Sequence, residues 1–182
     1  MRVISGEKKG LPLKAVPGKS TRPTTDKVKE SIFNMIGPYF EKGILLDLYG
    51  GSGGLSIEAL SRGMEKAIII DQDRKAIHTI KENLAKCKYE TKVEVFRNEA
   101  KKAIKALIKR EIQFDLIFLD PPYAIEDIAN EIAIIADFEL LKKSGVIVCE
   151  HSKERALPEN IGDLTMTRQE KYGDTCISIF QF

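Results

Sequence analysis

Leu45-Leu46-Asp47-Leu48-Tyr49-Gly50-Gly51-Ser52-Gly53-Gly54-Leu55 is the stretch whose reading decides the fold. An apolar run closes on a carboxylate, enters a glycine-dense turn and opens a segment with helical spacing. Glycine takes φ > 0 without a Cβ penalty and lets another molecule lie against the main chain. A buried strand that delivers such a turn to a helix start marks a ligand-binding α/β unit.

Working outward, apolar and β-branched runs predict strands at 44–47, 66–70, 93–97, 114–119 and 145–149. Helical spacing occupies 53–62, 73–86, 99–110 and 126–136. Such alternation predicts a parallel sheet covered by helices on both faces. The tail differs: 164–171 and 175–181 are extended runs joined through Tyr172-Gly173-Asp174, which predicts an antiparallel hairpin. The expected fold is α/β: a Rossmann-like, doubly wound, mostly parallel sheet closed by an antiparallel edge. Ahead of it, a helix should start near Thr24 or Thr25, with Asp26 in its first turn, and stop at Gly37-Pro38. Residues 2–5 and 11–16 flank Gly6-Glu7-Lys8-Lys9-Gly10 as a short basic hairpin. A single domain is expected, with residues 24–182 as the α/β core and 1–23 as a basic amino-terminal extension.

With 182 residues, 43% hydrophobic and 31% charged, the chain can bury one full core and has an ordinary soluble composition. Its net charge of +2 is unevenly spread. Residues 1–30 carry eight Lys/Arg against three Asp/Glu, and the remaining 152 residues sum to −3. A basic end on a near-neutral body suggests a polyanion bound at one edge; a solvated basic tail is the competing reading of charge alone. Cys87, Cys149 and Cys176 are far apart, and His78 and His151 are the only histidines. Neither a zinc site nor a disulfide framework is expected. No apolar run approaches a membrane span, and a signal peptide is not expected. The expectation is a cytoplasmic, reduced protein without a metal.

Two nucleotide ligands compete for the glycine turn. The dinucleotide pattern G-x-G-x-x-G would use Gly51, Gly53 and position 56, where Ser56 replaces the third glycine. The pattern D-x-x-x-G-x-G fits Asp47, Gly51 and Gly53 in full. Asp47 would repel a pyrophosphate but suits a ligand with an ammonium group and no phosphate, such as S-adenosylmethionine. Asp71 ends the second strand 18 residues after Gly53, where a carboxylate can accept both ribose hydroxyls. NAD would use the same contact. Asn98 and Glu99 follow the third strand and suit either an adenine amino group or a helix start.

Asp120-Pro121-Pro122-Tyr123 follows the run Phe114 to Leu119, so Asp120 falls at a strand's carboxyl end, where open α/β sheets bind ligands. Two prolines remove two N–H donors and hold Asp120 and Pro121 out of helical backbone. An acceptor-rich spot with an aromatic ring one step on suits a flat ligand whose amino group donates hydrogen bonds. A plain strand-to-loop turn with Tyr123 in the core explains the tetrapeptide alone equally well. Arg22 lies just ahead of a helix amino terminus, a common place for an anionic ligand, and also reads as surface charge.

With these residues in place, the chain resembles class I S-adenosylmethionine-dependent methyltransferases. More narrowly, it is similar to RsmD-type bacterial 16S rRNA (guanine-N2)-methyltransferases. Four pieces carry the resemblance along essentially the whole chain. They are Arg2-Val3-Ile4-Ser5-Gly6 with Pro17-Gly18 and Thr21-Arg22-Pro23-Thr24; Asp47 to Leu55 with Ile57-Glu58-Ala59-Leu60-Ser61-Arg62-Gly63; Asp120-Pro121-Pro122-Tyr123; and Lys171-Tyr172-Gly173-Asp174-Thr175. The middle two are shared by many methyltransferases; the outer two narrow the assignment. Gly50 stands where alanine is usual, Ser52 where threonine is, Asp71 for a frequent glutamate and Glu99 for a commoner aspartate.

The resemblance implies a seven-stranded methyltransferase sheet with a reversed hairpin and an amino-terminal extension that helps bind RNA. It implies S-adenosylmethionine as cofactor, held by Asp47, Tyr49, Gly50, Gly51, Ser52 and Gly53 in the loop. Asp71, Gln72, Asn98 and Glu99 would hold its nucleoside, with Arg22 and Thr24 beside it. Catalysis would fall to Asp120, Pro121, Pro122 and Tyr123. Arg2, Lys8, Lys9, Lys19, Arg22 and Lys171 would contact phosphates, with Tyr172 bordering the pocket. The implied partner is 16S rRNA within an assembling or assembled small ribosomal subunit, methylated by a monomer.

The same D-P-P-Y signature resembles that of adenine-N6 methyltransferases, and N-P-P-Y occurs in enzymes that methylate a protein glutamine amide. A sequence-specific DNA enzyme needs a recognition region for which 182 residues leave little room. The glutamine-modifying enzymes carry a longer amino-terminal domain. A non-catalytic RNA-binding module would not need the full set of Asp47, Gly51, Gly53, Asp71 and Asp120. A NAD-dependent dehydrogenase is weakened by Ser56 and by the lack of a catalytic histidine at a strand end.

Overall fold

The computed structural model describes residues 1–18, 24–122 and 127–182, and among these the alternation becomes eight strands and five α-helices. In chain order they are α1 (Asp26–Ile36), β1 (Ile44–Asp47), α2 (Gly54–Ser61), β2 (Lys66–Asp71), α3 (Arg74–Cys87) and, after a 3-10 turn at Glu90–Lys92, β3 (Val93–Arg97). Then come α4 (Ala100–Lys109), β4 (Phe114–Leu119), α5 (Ile128–Asp137), β5 (Leu141–Ser152), β6 (Asn160–Ile161), β7 (Leu164–Tyr172) and β8 (Thr175–Gln181). The sheet order is β3-β2-β1-β4-β5-β8-β7-β6, parallel from β3 to β5 and antiparallel beyond. The order reverses between β1 and β4, which is the switch point where such sheets open a crevice for ligands.

Each central strand buries both faces, which is why its sequence is almost continuously apolar. On one face Leu45, Ile69, Phe118 and Val148 meet Ile32 and Phe33 of α1, Ile57 and Leu60 of α2, and Ile80 and Leu84 of α3. On the other, Leu46, Ile68, Ile117 and Ile147 meet Ile104 and Leu107 of α4 and Ile132 and Ile135 of α5. Local chemistry sets the helix starts. The Thr25 hydroxyl caps α1 by accepting the Val28 N–H at 3.3 Å, and Asp73 caps α3 through the Lys75 N–H at 2.9 Å. The helix α2 has no side-chain cap; it starts from Gly53 in the left-handed region, φ 81°.

Three expectations need correction. The sheet has eight strands rather than seven, because Asn160–Ile161 adds a two-residue edge to β7, too short to leave a pattern in sequence. β5 runs from Leu141 rather than 145; Phe114 pairs Leu141 but Leu116 pairs Val146, so Lys142-Lys143-Ser144 bulge out and hide the strand's start. The expected amino-terminal hairpin forms no regular strands. One antiparallel bridge, Arg2 to Pro12, and the bonds Val3 N–H to Leu11 O (2.9 Å) and Gly10 N–H to Val3 O (2.8 Å) hold its arms together.

That arm is built into the core. Val3 and Leu13 join the cluster under α1 to α3. Glu58, fully buried on α2, takes the Ile4 N–H on Oε2 (2.8 Å) and the Ser5 N–H on Oε1 (3.0 Å). The same carboxylate faces Arg62 Nε at 2.8 Å and Lys29 Nζ at 3.5 Å, both cations themselves buried. Gly6 then passes so close to α2 that a Cβ would lie 1.9 Å from the Ser61 carbonyl oxygen.

Gly50, where the resemblance leads one to expect alanine, is matched to a bulky neighbour. A Cβ there would stand 2.4 Å from Ile69 Cγ2 and 3.0 Å from Ile80 Cδ1. Gly50→Ala is therefore expected to cost about 1–3 kcal/mol by overpacking, read as a lower denaturant midpoint at unchanged slope.

Candidate active site

Strand register assembles the site. Asp47 stands opposite Ile69 of β2 and Phe118 of β4. Residues two apart share a face of a sheet, so Asp71 and Asp120 come one pleat beyond Asp47 on its side. Leu119 pairs Cys149, which brings Glu150 of β5 level with Asp120. Four carboxylates thus stand along the carboxyl edge of β2, β1, β4 and β5, on the face covered by α1 to α3.

Each is held differently. Asp47 is buried, with Oδ2 accepting the Ser56 hydroxyl at 2.7 Å and Oδ1 the Tyr49 N–H at 3.3 Å. Burial pushes its pKa up to about 6, the two hydrogen bonds oppose this, and the Asp71 charge adds to it. Asp71 accepts the Gly51 N–H (2.9 Å) on one oxygen and the Asp73 N–H (2.8 Å) on the other. Burial raises its pKa against those bonds. A carboxylate has about four acceptor positions, so with the Gly51, Asp73 and Gln72 backbone groups bonded to it Asp71 keeps capacity for a ribose hydroxyl. Burial, then the neighbouring Glu150 and Asp47 charges, raise Asp120 well above the ordinary carboxylate range.

Between Asp47 and Asp71 lies the glycine turn. Gly51 (φ 57°) and Gly53 (φ 81°) both take left-handed backbone, and a Cβ built on Gly51 would meet only open space. A ligand can therefore lie directly on this backbone. Its far side is braced: Asn83, buried on α3, donates to the Ser52 carbonyl and the Lys14 carbonyl, both at 2.9 Å, and accepts the Lys14 N–H at 2.8 Å. The Ser52 hydroxyl meets the Met1 thioether at 3.5 Å. Tyr49 turns its hydroxyl away from the turn, donating at 2.7 Å to Oε1 of Glu131, a buried side chain of α5. Gly50 binds the Ile70 carbonyl through its N–H at 2.8 Å.

The nucleoside candidates are spread along the next edge. Asn98 N–H donates to the Asp71 carbonyl (3.0 Å) and Asn98 Oδ1 accepts the Glu99 N–H (2.9 Å). Glu99 is exposed, precedes α4 and pairs with Lys102 at 2.9 Å. Exposed Gln72 accepts Arg97 Nε on its carbonyl at 3.2 Å. Pro121 is buried and Pro122 exposed just past β4. The Thr24 hydroxyl donates to Glu150 Oε2 at 3.4 Å, which ties the approach to α1 to the site. Tyr123, Lys19 and Arg22 lie outside the described residues.

The basic candidates separate into two places. Arg2, 3.4 Å from Asp26 at the start of α1, and Lys171 at the tip of the β7–β8 hairpin belong to the carboxyl edge. There the Tyr172 hydroxyl is hydrogen-bonded to Ser31 of α1. Lys8 and Lys9 sit at the turn docked on Ser61, the far end of α2, roughly 12 Å from the glycine turn at helical rise. Lys8 is engaged with Glu7 at 3.3 Å and with the Tyr89 ring at 5.4 Å. Among the described residues no group of His, Cys, Asp and Glu is arranged to hold a metal ion, and no helix is long and apolar enough to cross a membrane.

Sequence reasoning missed Glu150, Ser56, Asn83 and Glu131. Ser56 was visible only as a missing glycine, whereas its hydroxyl in fact holds the Asp47 carboxylate.

Asp47 makes the site's electrostatics measurable. The folded protein keeps a proton there that the unfolded chain has released, since the pKa rises from 3.8 to about 6. The stability this contributes is full below the unfolded value and is lost as pH rises through about 6, about 3 kcal/mol in all. Asp47→Asn should reduce the fall in urea midpoint between pH 4 and 7. An ammonium-bearing ligand needs Asp47 ionised, so its affinity should weaken as pH drops below about 6.

Comparison with known proteins accords with this geometry. A Bacillus subtilis protein, YlbH, named provisionally as an rRNA methyltransferase, is 56% identical over 181 residues, covering 100% of this chain and 98% of its own. The ribosomal RNA small subunit methyltransferase D of Haemophilus influenzae is 30% identical over 183 residues, covering 100% of this chain and 93% of its own. A solved Escherichia coli structure, named provisionally as methyltransferase YhhF, superposes with TM-score 0.83 at 29% identity, over 100% of this chain and 97% of its own. The sheet is that of the class I methyltransferases. The model of the family described as conserved hypothetical protein 95 matches residues 1–181, and the chain, with the RsmD-type methyltransferases among its relatives, belongs to that family.

Proposed function

We propose that the protein is an S-adenosylmethionine-dependent methyltransferase that methylates the exocyclic N2 amine of a guanine in 16S ribosomal RNA. One observation carries the reading. Asp120, followed by two prolines that supply no N–H, stands on the same face of the sheet edge as the carboxylates that flank an open glycine turn. The names of the relatives point to small-subunit rRNA.

The residues fit the cofactor. Asp47 and the turn carbonyls suit its ammonium group, Gly51 leaves room for it against the backbone, and Asp71 retains acceptor capacity for its ribose. When bound, S-adenosylmethionine supplies a methyl group on a sulfonium leaving group. Asp120 and the Pro121 carbonyl accept the two amino hydrogens of the guanine. Those bonds draw the nitrogen lone pair out of conjugation with the ring and aim it at the methyl position. Asp120 also stabilises the positive charge that develops on nitrogen, an effect of about 2–4 kcal/mol for a preorganised partner. Tyr123 would stack on the base, which must be unpaired or turned out of its helix. Arg2 and Lys171 would position phosphates near the pocket, with Lys8 and Lys9 extending the footprint along α2, and Lys19 and Arg22 remain candidate phosphate contacts from the sequence. The reading is of a monomer acting on an assembling or assembled subunit.

The test is transfer of labelled methyl from S-adenosylmethionine to small subunits from cells lacking this activity, to deproteinised RNA, to duplex DNA and to total protein, then nucleoside digestion. Label in N2-methylguanosine supports the reading. Label only in N6-methyladenine or in protein overturns the substrate, and none anywhere overturns the activity.

A further inference from the structure

We propose that the exposed face of α4, with Phe96 beside it on the outermost strand, is a second contact surface for the substrate RNA: its lysines follow the phosphates of a single-stranded segment while the Phe96 ring stacks on one of its bases. This rests on the ribosomal-RNA reading and extends it, because it names where the strand runs once it leaves the pocket.

Positive charge is concentrated in two segments. Residues 97–110 hold six Lys/Arg (Arg97, Lys101, Lys102, Lys105, Lys109 and Arg110) against one acid, Glu99, a local +5. Residues 1–30 hold another +5, so with a total of +2 the other 138 residues sum to −8. A polyanion is repelled on balance by the rest of the chain, which favours these two segments as its tracks.

Helical geometry orders the charges on α4. Ala103, Ile104 and Leu107 are buried against the sheet, whereas the cations are exposed. Lys101, Lys105 and Lys109 recur every four residues and form one stripe with a step of about 6 Å, a pitch that successive phosphates of an RNA strand can follow. Lys105 and Lys109 have no anion within reach among the described residues. Lys101 and Lys102 pair with Asp127 at 3.0 Å and Glu99 at 2.9 Å, surface contacts of small worth that a phosphate can replace. The stripe begins at the rim of the pocket: Glu99 precedes α4, and Asp127 opens α5 just after the D-P-P-Y segment.

Phe96 supplies the stacking surface. Val93 and Val95 pack in the cluster under α3, so Glu94 and Phe96 fall on the α4 side of β3. Arg110 of α4 marks the same side, donating from both terminal nitrogens to Glu94 at 3.0 Å. Phe96 is 44% exposed there, on the edge strand of the sheet. An aromatic ring beside a cationic track binds single strands of any sequence, because every base has a π face.

The test is binding to small subunits and to deproteinised 16S RNA over a range of salt, with methyl transfer measured alongside. Lys105→Gln with Lys109→Gln should make the slope of log affinity against log salt shallower by about 1.4, the share of two phosphates on a single strand. Phe96→Ala should weaken binding about 5- to 100-fold with the slope unchanged. In both variants the loss should fall on KM for RNA rather than on kcat. S-adenosylhomocysteine should bind both as it binds wild type, which checks their fold. Lys81→Gln with Lys86→Gln makes the same charge change on α3, across the sheet, and should leave the slope as it is.

An unchanged slope without Lys105 and Lys109 overturns the proposal, and so does an equal change in the α3 variant, which would be a general effect of net charge. Phe96→Ala at full affinity overturns it too, as does a Phe96→Ala protein weakened toward subunits but not toward bare RNA, since the ring would then meet a ribosomal protein. If the wild-type protein binds neither sample in a salt-dependent way and methylates no rRNA, the ribosomal-RNA reading itself has failed.

Discussion

Asp120→Ala is expected to reduce kcat for methyl transfer about 30- to 1000-fold, the equivalent of about 2–4 kcal/mol of lost transition-state stabilisation. On the proposed mechanism, the variant removes the acceptor that pyramidalises the amine and the charge that balances the nitrogen as it becomes cationic. A guanine ground state, on that mechanism, would need neither strongly, so KM for RNA should change much less than kcat. Asp120→Asn separates the two contributions. Its amide oxygen still accepts an amino hydrogen but carries no charge, so it should retain all but about tenfold of the rate. Cofactor affinity gives the control. Asp120 raises no barrier to binding beyond its repulsion of Asp47, whose pKa burial already pushes up to about 6. Removing Asp120 should leave the affinity for S-adenosylhomocysteine unchanged or slightly improved, measured by calorimetry. An alanine variant with wild-type kcat would remove Asp120 from the chemistry altogether.

The sequence made the strands and the glycine turn legible because both are local signals. Apolar runs of strand length, separated by helical spacing, survive any uncertainty about neighbours. The turn needs only adjacent residues, and Gly51 and Gly53 do take the left-handed backbone their positions implied. What escaped depends on register. Glu150 follows the run Val146-Ile147-Val148-Cys149 and resembles a simple strand-ending polar residue. Its place beside Asp120 follows only once Leu119 is known to pair with Cys149. Asn83 likewise looks like one polar position on an amphipathic helix, yet it joins the amino-terminal arm to the Ser52 carbonyl, 31 residues away in sequence. The bulge in β5 was hidden for a third reason. Lys142, Lys143 and Ser144 are polar because they loop out, so the period breaks where the strand does not end.

Glu58→Ala should be the most destabilising single substitution outside the apolar core, at about 3–5 kcal/mol. Four donors converge on this one carboxylate: the Ile4 and Ser5 N–H groups, Arg62 Nε and Lys29 Nζ. Removing it leaves two buried cations without their anion and two backbone donors without an acceptor. Burial already pushes the Lys29 pKa down, and the Glu58 charge is the largest influence opposing that. Glutamine is no remedy, because its amide nitrogen would face donors on one side. The loss should appear as a lower urea midpoint and as faster hydrogen exchange at Ile4 and Ser5 than anywhere in β1 or β4. Function should respond unevenly. The arm carries Arg2 to the start of α1 and Lys14 to Asn83, beside the glycine turn. Its release should therefore weaken RNA methylation at temperatures where the sheet, and cofactor binding with it, still persists. Equal loss of both at every temperature would mean that the arm and the sheet unfold as one unit, and that Glu58 secures the whole molecule rather than the arm.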